Sequence, residues 1–288
     1  MERIKEIAYY FLVKLPGILR GRVRGNLIFV HWGRGLNNFG DCLSPDILKH
    51  FGLTPVYCQQ VKSDMILAGS LLQWVPENYT GIILGTGAAD VPLNFPAARV
   101  LGVRGKLTWN NFRSKNTDHV LYGDTGLIMS YIFPETVRKK YRMGVVPHFI
   151  DYGHRYMKMW KERFGKDVLF IHPLGSPRQI ISRIKSCESI VASSLHGLVI
   201  ADSFDIPSLR FVIRETMPLG TVDPDYKYKD YYSALGLEHV CVEVNGGEDI
   251  EDLIGRATTK THAVVPIKRA LYDTLKETCE YFKLKSVV

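Results

Sequence analysis

The chain has 288 residues, a formal net charge of +8 and a pI near 9.1. Apolar residues make up 46% of it and charged residues 23%, which is typical of a globular protein and excludes a disordered or fibrous chain. The positive net charge favours a small anionic substrate or an anionic membrane surface as the binding partner. The sequence contains no Lys/Arg stripe with interleaved aromatic residues, so nucleic acid is the least favoured partner.

The first 24 residues contain a short apolar run over 7–13 that ends at Lys14. This run is too short to cross a bilayer, and no small-residue cleavage site of a secretory signal follows it. Three basic residues come next: Arg20, Arg22 and Arg24. The segment is therefore interpreted in two ways, as a helix at a membrane interface or as a helix that packs on its own protein.

Beyond this segment, short apolar runs alternate with helical patterns. In the first half, strands are predicted over 27–30, 65–68, 82–84 and 100–103, and a helix over 44–51 that opens with Ser44-Pro45. In the second half, strands are predicted over 144–146, 168–171, 190–192 and 209–213. Helices are predicted over 152–164, over 177–187, from about His196 and over about 266–284. Such alternation indicates parallel sheets with crossover helices.

The charged segment 134–141 is the predicted linker between two α/β regions. We therefore expect an α/β fold with two Rossmann-like domains, residues 1–140 and 141–288, and a last helix that packs back on the first domain. In open parallel sheets, ligands bind beyond the carboxyl ends of the strands. The candidate residues at such ends are therefore of particular interest.

The most informative stretch is 189–203, which is predicted to be a buried strand, a polar turn and the start of a helix. Ser193 and Ser194 stand where a helix N-cap is expected, so free backbone N–H groups and the positive end of the helix dipole would create an anion site. The turn also contains His196, whose imidazole can donate a proton near neutral pH. The alternative is a capped helix with a histidine packed at its start.

Other candidates lie at predicted strand ends. Arg104 follows the strand over 100–103, where a guanidinium can bind a carboxylate or phosphate, or can simply be a surface residue. Asp41 is interpreted as a base for a sugar hydroxyl or as a helix cap. Asn37 and Asn38 could bind sugar hydroxyls or form a turn, and His148 could bind a ligand or be structural.

Nothing in the sequence predicts a metal or cofactor site. The motifs HExxH, P-loop and nucleophile elbow are absent. Five widely spaced cysteines without a CxxC pair argue against a disulfide framework and a zinc site, and they predict a reducing, cytoplasmic location. They are Cys42, Cys58, Cys187, Cys241 and Cys279. We expect no metal ion and no cofactor.

Six short motifs, in order between about residues 29 and 235, resemble those of the polysaccharide pyruvyl transferase family. They are Asn38-Phe39-Gly40-Asp41, Gly102-Val103-Arg104-Gly105, Tyr122-Gly123-Asp124, Gly144-Val145-Val146-Pro147-His148, Ser193-Ser194-Leu195-His196-Gly197 with Asp205-Ile206-Pro207, and Lys229-Asp230-Tyr231-Tyr232. The chain departs from some members at Ser194, where they carry Arg before the Leu-His pair.

The resemblance implies a glycosyltransferase B-like arrangement with substrates in the cleft between two domains. It implies phosphoenolpyruvate as the co-substrate and a hexose of a surface polysaccharide, such as a capsule or exopolysaccharide, or of its lipid-linked precursor, as the acceptor. The product would be a pyruvate ketal. The alternatives are a nucleotide-sugar glycosyltransferase of similar fold and a non-catalytic glycan-binding subunit.

The resemblance also implies roles for the candidate residues. His196 would be the proton donor or a phosphate ligand, Arg104 an anion clamp and Asp41 a catalytic base. Donor binding would involve Arg104, Ser193, Ser194, Leu195, His196 and Gly197, and acceptor binding Asn37, Asn38, Asp41 and His148. A peripheral contact of residues 1–24 with the inner face of the membrane would bring the enzyme to lipid-linked acceptors.

Overall fold

The structure is a computed structural model that describes residues 2–115, 117–216 and 223–285. Its strands are β1 (Leu27–Val30), β2 (Thr54–Tyr57), β3 (Met65–Ile66), β4 (Ile82–Ile83), β5 (Arg99–Val100), β6 (Gly102–Val103), β7 (Leu121–Tyr122), β8 (Tyr141–Val146), β9 (Val168–Phe170), β10 (Cys187–Ala192), β11 (Ser208–Val212) and β12 (Val242–Glu243). Its α-helices are α1 (Glu2–Tyr9), α2 (Leu15–Val23), α3 (Ser44–His50), α4 (Lys106–Asn110), α5 (Met129–Ile132), α6 (Arg155–Arg163), α7 (Pro177–Lys185), α8 (Leu195–Ser203), α9 (Tyr226–Leu235), α10 (Ile250–Arg256) and α11 (Thr261–Lys285).

The strands form two five-stranded sheets in which every pairing is parallel. The first has the order β2-β1-β3-β4-β5 and the second β12-β11-β10-β8-β9. β6 and β7 form a separate parallel pair. The predicted Rossmann-like α/β class is therefore confirmed, and the two larger sheets fall on either side of residue 140. The division into two domains at that residue stays a prediction.

The main hydrophobic core is shared by the two larger sheets. One continuous cluster contains Ile28 of β1, Ile190 of β10, Val199 of α8 and Leu271 of α11, all fully buried. Every residue of α8 is buried, as expected for a helix that is apolar on all sides. The helix that carries the histidine of the signature motif is thus fully enclosed.

Several predicted elements differ from the observed ones. The single strand predicted over 100–103 is two short strands, because β5 belongs to the first sheet whereas β6 pairs with β7. The helix predicted from residue 152 begins at Arg155, since the His154 side chain caps it by accepting from the Tyr156 N–H at 3.3 Å. The strand β2 was not predicted; Pro55 is tolerated in it because β2 lies at the sheet edge.

The N-terminal helical segment is packed at one end and exposed at the other. A Cβ atom at Gly17 would lie 3.2 Å from Val56, and one at Gly21 would lie 2.9 Å from Leu27, so α2 rests closely on the first sheet. Residues 10–14 continue the segment as a π-helix whose apolar side chains are exposed, among them Phe11 at 61% and Leu12 at 76%. Residue 1 and the side chains of residues 2–5 lie outside the described residues.

The last helix, α11, contacts the first half of the chain. Its Tyr272 hydroxyl lies 3.2 Å from Nε2 of His50, and Lys268 donates to the Ser130 hydroxyl at 3.1 Å. A Cβ atom at Gly123 would lie 2.4 Å from Ile267 of this helix. In the part of the chain that the structure describes, no helix is both long and apolar enough to cross a membrane.

Candidate active site

A cavity of about 270 Å³ lies where strands of both large sheets end. Its lining includes Ser70 after β3, His148 after β8 and Ser193 after β10, together with Lys227 and Tyr228 from α9. The carboxyl ends of parallel strands are where ligands bind in open α/β sheets. The cavity therefore stands where a substrate site is expected, and residues from both halves of the chain line it.

His196 lies in the first turn of α8 and is only 5% exposed. Its ring is pressed against Gly40, where a Cβ atom would come within 1.9 Å of Nδ1. Nε2 lies 3.7 Å from Oδ2 of Asp124, and neither of these two buried atoms has a hydrogen-bond partner among the described residues. The signature motif, the Asn-x-Gly-Asp motif and the Gly-Asp motif thus meet at one imidazole.

Burial controls the protonation of this pair. Desolvation lowers the pKa of His196 to about 4 and raises the pKa of Asp124 to about 6. At neutral pH the ligand-free protein therefore holds a neutral imidazole beside an ionised carboxylate. An anionic ligand near the ring would raise the pKa of His196 and let it take up a proton, which Asp124 would stabilise.

Asp41 is close enough to His196 for the two charges to interact. Its carboxyl group lies against two glycines: a Cβ atom at Gly69 would come 2.5 Å from Oδ1, and one at Gly33 would come 2.7 Å from the Asp41 Cβ. Gly69 also has φ of +91°, a conformation that side chains disfavour. Burial raises the pKa of Asp41, which makes its carboxylate a stronger base than an exposed aspartate.

Arg104 is fully buried and does not line the cavity. Its Nε donates to Asp230 of α9 at 2.8 Å, one terminal nitrogen donates to the Ser70 hydroxyl, and the other donates to the Ala88 carbonyl at 2.9 Å. Asp230 also accepts from the Thr108 N–H and hydroxyl at 2.7 and 2.6 Å. The guanidinium thus fixes α9 against the first half of the chain and fixes a serine at the cavity wall.

The predicted turn at 193–197 contributes to the cavity through Ser193. The Ser193 hydroxyl accepts from the His148 N–H at 2.9 Å and donates to Asp151 at 2.5 Å. Ser194 is the N-cap residue of α8, but its hydroxyl makes no capping hydrogen bond. The predicted N-cap position is therefore confirmed, and the serine side chain leaves the first N–H groups of the helix free of a capping hydrogen bond.

His148 lines the cavity as expected, whereas the two asparagines do not. Burial lowers the pKa of His148 to about 3, so its ring is neutral, and its buried Nδ1 has no partner within the described residues. Asn37 is exposed and its carbonyl accepts from the Gly175 N–H at 2.9 Å. Asn38 forms a bridge with Leu174. These loop contacts join the two halves of the chain.

The sequence interpretation missed two cations at the cavity, Lys227 and Arg210. Arg210 donates to Asp225 at 2.5 Å and its guanidinium carbon lies 3.4 Å from the centre of the Tyr228 ring. Lys227 is the second residue of α9. Three residues, nearly one helical turn, separate it from Asp230, so a helical reading of 226–235 would have placed both on one side of α9.

Gly40→Ala should abolish most activity and also lower the melting temperature. The new methyl group would overlap Cβ, Cγ and Nδ1 of His196, so the buried histidine and the helix that carries it would have to shift. We expect turnover to fall by at least about 100-fold, the scale for a misplaced acid or base. Gly35→Ala is the control because a Cβ atom there meets nothing within 4 Å. Equal turnover of both variants would contradict this account of Gly40.

The described residues contain no group of three or more His, Cys, Asp and Glu side chains placed to hold a metal ion. The charged groups that line the cavity are Lys227, Arg210, Asp151 and Asp223. Asp41 and His196 do not line it but interact electrostatically with Lys227, and Asp124 lies beside His196. This set can bind an anion and move protons.

The chain matches the family model described as "Polysaccharide pyruvyl transferase" over residues 25–213. It is also 29% identical over 173 residues to "Uncharacterized protein L143" of Acanthamoeba polyphaga mimivirus, a match that covers 56% of this chain and 57% of that protein. The chain thus spans little more than half the length of this relative. Because the family model covers more than half of the chain, the expected family is confirmed, and the chain belongs to the polysaccharide pyruvyl transferase family.

Proposed function

We propose that the protein transfers the pyruvyl group of phosphoenolpyruvate to two hydroxyls of a hexose in a surface polysaccharide or its lipid-linked precursor. The supporting observation is the cavity, whose wall presents Lys227 without a hydrogen-bond partner among the described residues, while His196 and Asp41 are close enough to interact with that charge. The ammonium group suits an anionic donor, and the histidine and the aspartate suit proton transfer. Family membership supports the reaction type, and the chain's net charge of +8 is in keeping with an anionic donor.

The proposed reaction begins with a proton added to C3 of the enol, which makes C2 electrophilic. One sugar hydroxyl attacks C2 and loses its proton, and the C2–O bond to phosphate breaks. The second hydroxyl then attacks C2 and loses its proton, which closes the ketal. Of the two protons that the hydroxyls release, one replaces the proton used at C3 and one leaves on the inorganic phosphate, so atoms and charges balance.

In this proposal His196 gives the proton to C3 and Asp41 accepts one from a hydroxyl. The neutral His196 of the ligand-free protein becomes a proton donor only after the anionic donor has raised its pKa. Proton transfer is thereby tied to donor binding, which protects the enol from reaction with water. Arg104 is a positioning residue that holds Asp230 and Ser70 in place. Asn37 and Asn38 position the loop that joins the two halves of the chain through their contacts with Gly175 and Leu174.

We further propose that residues 1–140 and 141–288 are two Rossmann-like domains in a glycosyltransferase B-like arrangement, with the cavity in the cleft between them. The cavity lining supports this, because Ser70 and Gln73 come from the first half and His148 and Arg210 from the second. A cytoplasmic location fits a donor made in the cytoplasm.

A nucleotide-sugar glycosyltransferase is the alternative, because a shared fold does not fix the donor. Thermal unfolding with phosphoenolpyruvate and with a panel of uridine and guanosine diphosphate sugars separates the two, since a ligand that binds the folded state stabilises it by an amount that grows with the ratio of its concentration to its Kd. Selective stabilisation by phosphoenolpyruvate is the expected result, with or without EDTA because no metal is expected. Selective stabilisation by a nucleotide sugar would refute the proposal.

We also propose that the exposed part of the N-terminal segment contacts an anionic membrane surface. Phe11 and Leu12 are exposed there, and the basic residues Lys14, Arg20, Arg22 and Arg24 are close to them in the sequence. Each basic side chain near such a surface contributes about 1 kcal/mol, so binding should be weak and sensitive to salt. Because α2 covers the first sheet, substitutions test this more cleanly than a deletion.

The double variant Phe11→Ser/Leu12→Ser should lose sedimentation with vesicles that contain phosphatidylglycerol, whereas the unchanged protein should sediment and be released by salt. The melting temperature should stay the same, because both side chains are exposed. Val240→Ser, at another exposed apolar residue, is the matched control. If the unchanged protein does not sediment, or the double variant sediments equally, the membrane contact is refuted.

A further inference from the structure

Lys227 stands out among the charged residues of the cavity because its ammonium group has no hydrogen-bond partner in the described part of the chain. Its charge interacts with Asp41 and Asp151, which raise its pKa, and with Arg104 and Arg210, which lower it. The centre of the Tyr228 ring is 5.2 Å from Nζ. An ammonium group strongly prefers hydrogen-bonded neighbours, so an unpaired one at a cavity wall is a candidate ligand contact.

The carboxylates that also line the cavity are already engaged. Asp151 accepts from the hydroxyls of Ser193 and Thr216, both at 2.5 Å. Asp223 accepts from the Asp225 N–H at 2.9 Å and from Lys229 at 2.6 Å. Neither carboxylate forms an ion pair with Lys227 in the described part of the chain, so the ammonium group is available to a ligand.

Hydrogen bonds to a neighbouring residue of α9 fix the helix that carries Lys227. Asp230, three residues further along α9, accepts three hydrogen bonds from Arg104 and Thr108. This fixes the first turns of α9 against α4. Ser70, whose hydroxyl accepts from Arg104, lies in the same cavity wall.

We propose that Lys227 is a donor-binding residue whose ammonium group pairs with the phosphate of phosphoenolpyruvate. This inference rests on the proposed function. A phosphate suits a lysine because the ammonium group is a compact point charge, whereas a planar carboxylate is better matched by a guanidinium. Burial lowers the pKa of Lys227 to about 8, which leaves the group mostly protonated at neutral pH and open to stabilisation by an anion.

The test is calorimetric titration of Lys227→Gln, Lys227→Arg and the unchanged protein with phosphoenolpyruvate, inorganic phosphate and pyruvate. Lys227→Gln should weaken phosphoenolpyruvate and inorganic phosphate binding by at least about 30-fold, the scale for removing a charged partner in a desolvated site, and leave pyruvate binding unchanged. Lys227→Arg should keep the affinity within about threefold, because it keeps the charge. Lys276→Gln, on the exposed side of α11, controls for net charge.

Measurement of kcat distinguishes a binding role of Lys227 from a role in proton transfer. An arginine cannot release a proton at neutral pH, so Lys227→Arg should keep kcat if the lysine only binds. Loss of kcat with retained affinity would overturn the assignment in favour of a proton donor, and unchanged affinity in Lys227→Gln would overturn it outright. If the unchanged protein binds inorganic phosphate through Lys227 but not phosphoenolpyruvate, the proposed function fails while the anion site stands; binding of neither overturns both.

Discussion

His196→Ala is expected to lower turnover by at least about 100-fold while phosphoenolpyruvate binding falls far less. The imidazole is the proposed source of the proton for C3, and removal of a positioned acid costs a factor of about 100 to 10,000. Steady-state kinetics with a saturating donor measures this directly. His196 is enclosed by Gly40 and the core, so the alanine leaves a small void and some loss of stability is expected as well.

The control is His119→Ala, which removes an exposed histidine and should change neither kinetics nor stability. Circular dichroism and thermal unfolding establish that His196→Ala remains folded at the assay temperature. Near-normal turnover in a folded His196→Ala protein would remove the histidine from the chemistry, and the buried Asp124 next to it would lose its proposed partner.

Arg104→Ala is expected to lower the free energy of unfolding by about 3–5 kcal/mol, because it leaves Asp230 buried without its charged partner. Both side chains of this pair are fully buried. Turnover of the folded fraction should fall by at least about 100-fold, since α9 and Ser70 lose the contact that holds them at the cavity. Denaturant unfolding and single-turnover kinetics measure the two effects separately.

The matched control is Arg142→Ala, which breaks an exposed ion pair with Glu251 whose side chains are 44% and 62% exposed. Exposed pairs contribute at most about 1 kcal/mol, so this variant should be nearly as stable as the unchanged protein. If the two alanine variants lose equal stability, the Arg104–Asp230 pair does not fasten α9 as described. In Asp230→Asn the remaining guanidinium should be poorly paired, and the double variant should lose less than the sum of the single losses.

The sequence predicted the parallel α/β architecture because the spacing of apolar residues and the length of each apolar run are local properties of the chain. It also predicted that His148 and the turn at Ser193 lie at strand ends, since the carboxyl ends of parallel strands gather at one edge. The helix that begins near His196 was recognisable by its capping position and its apolar run. These features depend on residues that are neighbours in the chain.

The partners of the candidate residues could not be predicted, because they are far apart in the sequence. Arg104 and Asp230 are separated by 126 residues, so nothing local distinguishes a buried structural arginine from one that binds a ligand. The requirement for glycine at position 40 is evident only from its close contact with His196 in the folded protein. Lys227 looks like an ordinary lysine of an amphipathic helix until the cavity and its engaged carboxylates are seen.

Product analysis by mass spectrometry tests the central claim most directly. The protein is incubated with phosphoenolpyruvate and lipid-linked glycans extracted from the cells that carry its gene, with His196→Ala as the matched control. We expect a glycan that has gained one ketal-linked pyruvyl group, with one inorganic phosphate released for each, and no gain with the variant. A glycan that gains a sugar from an added nucleotide sugar instead, or phosphate release that His196→Ala matches, would contradict the account.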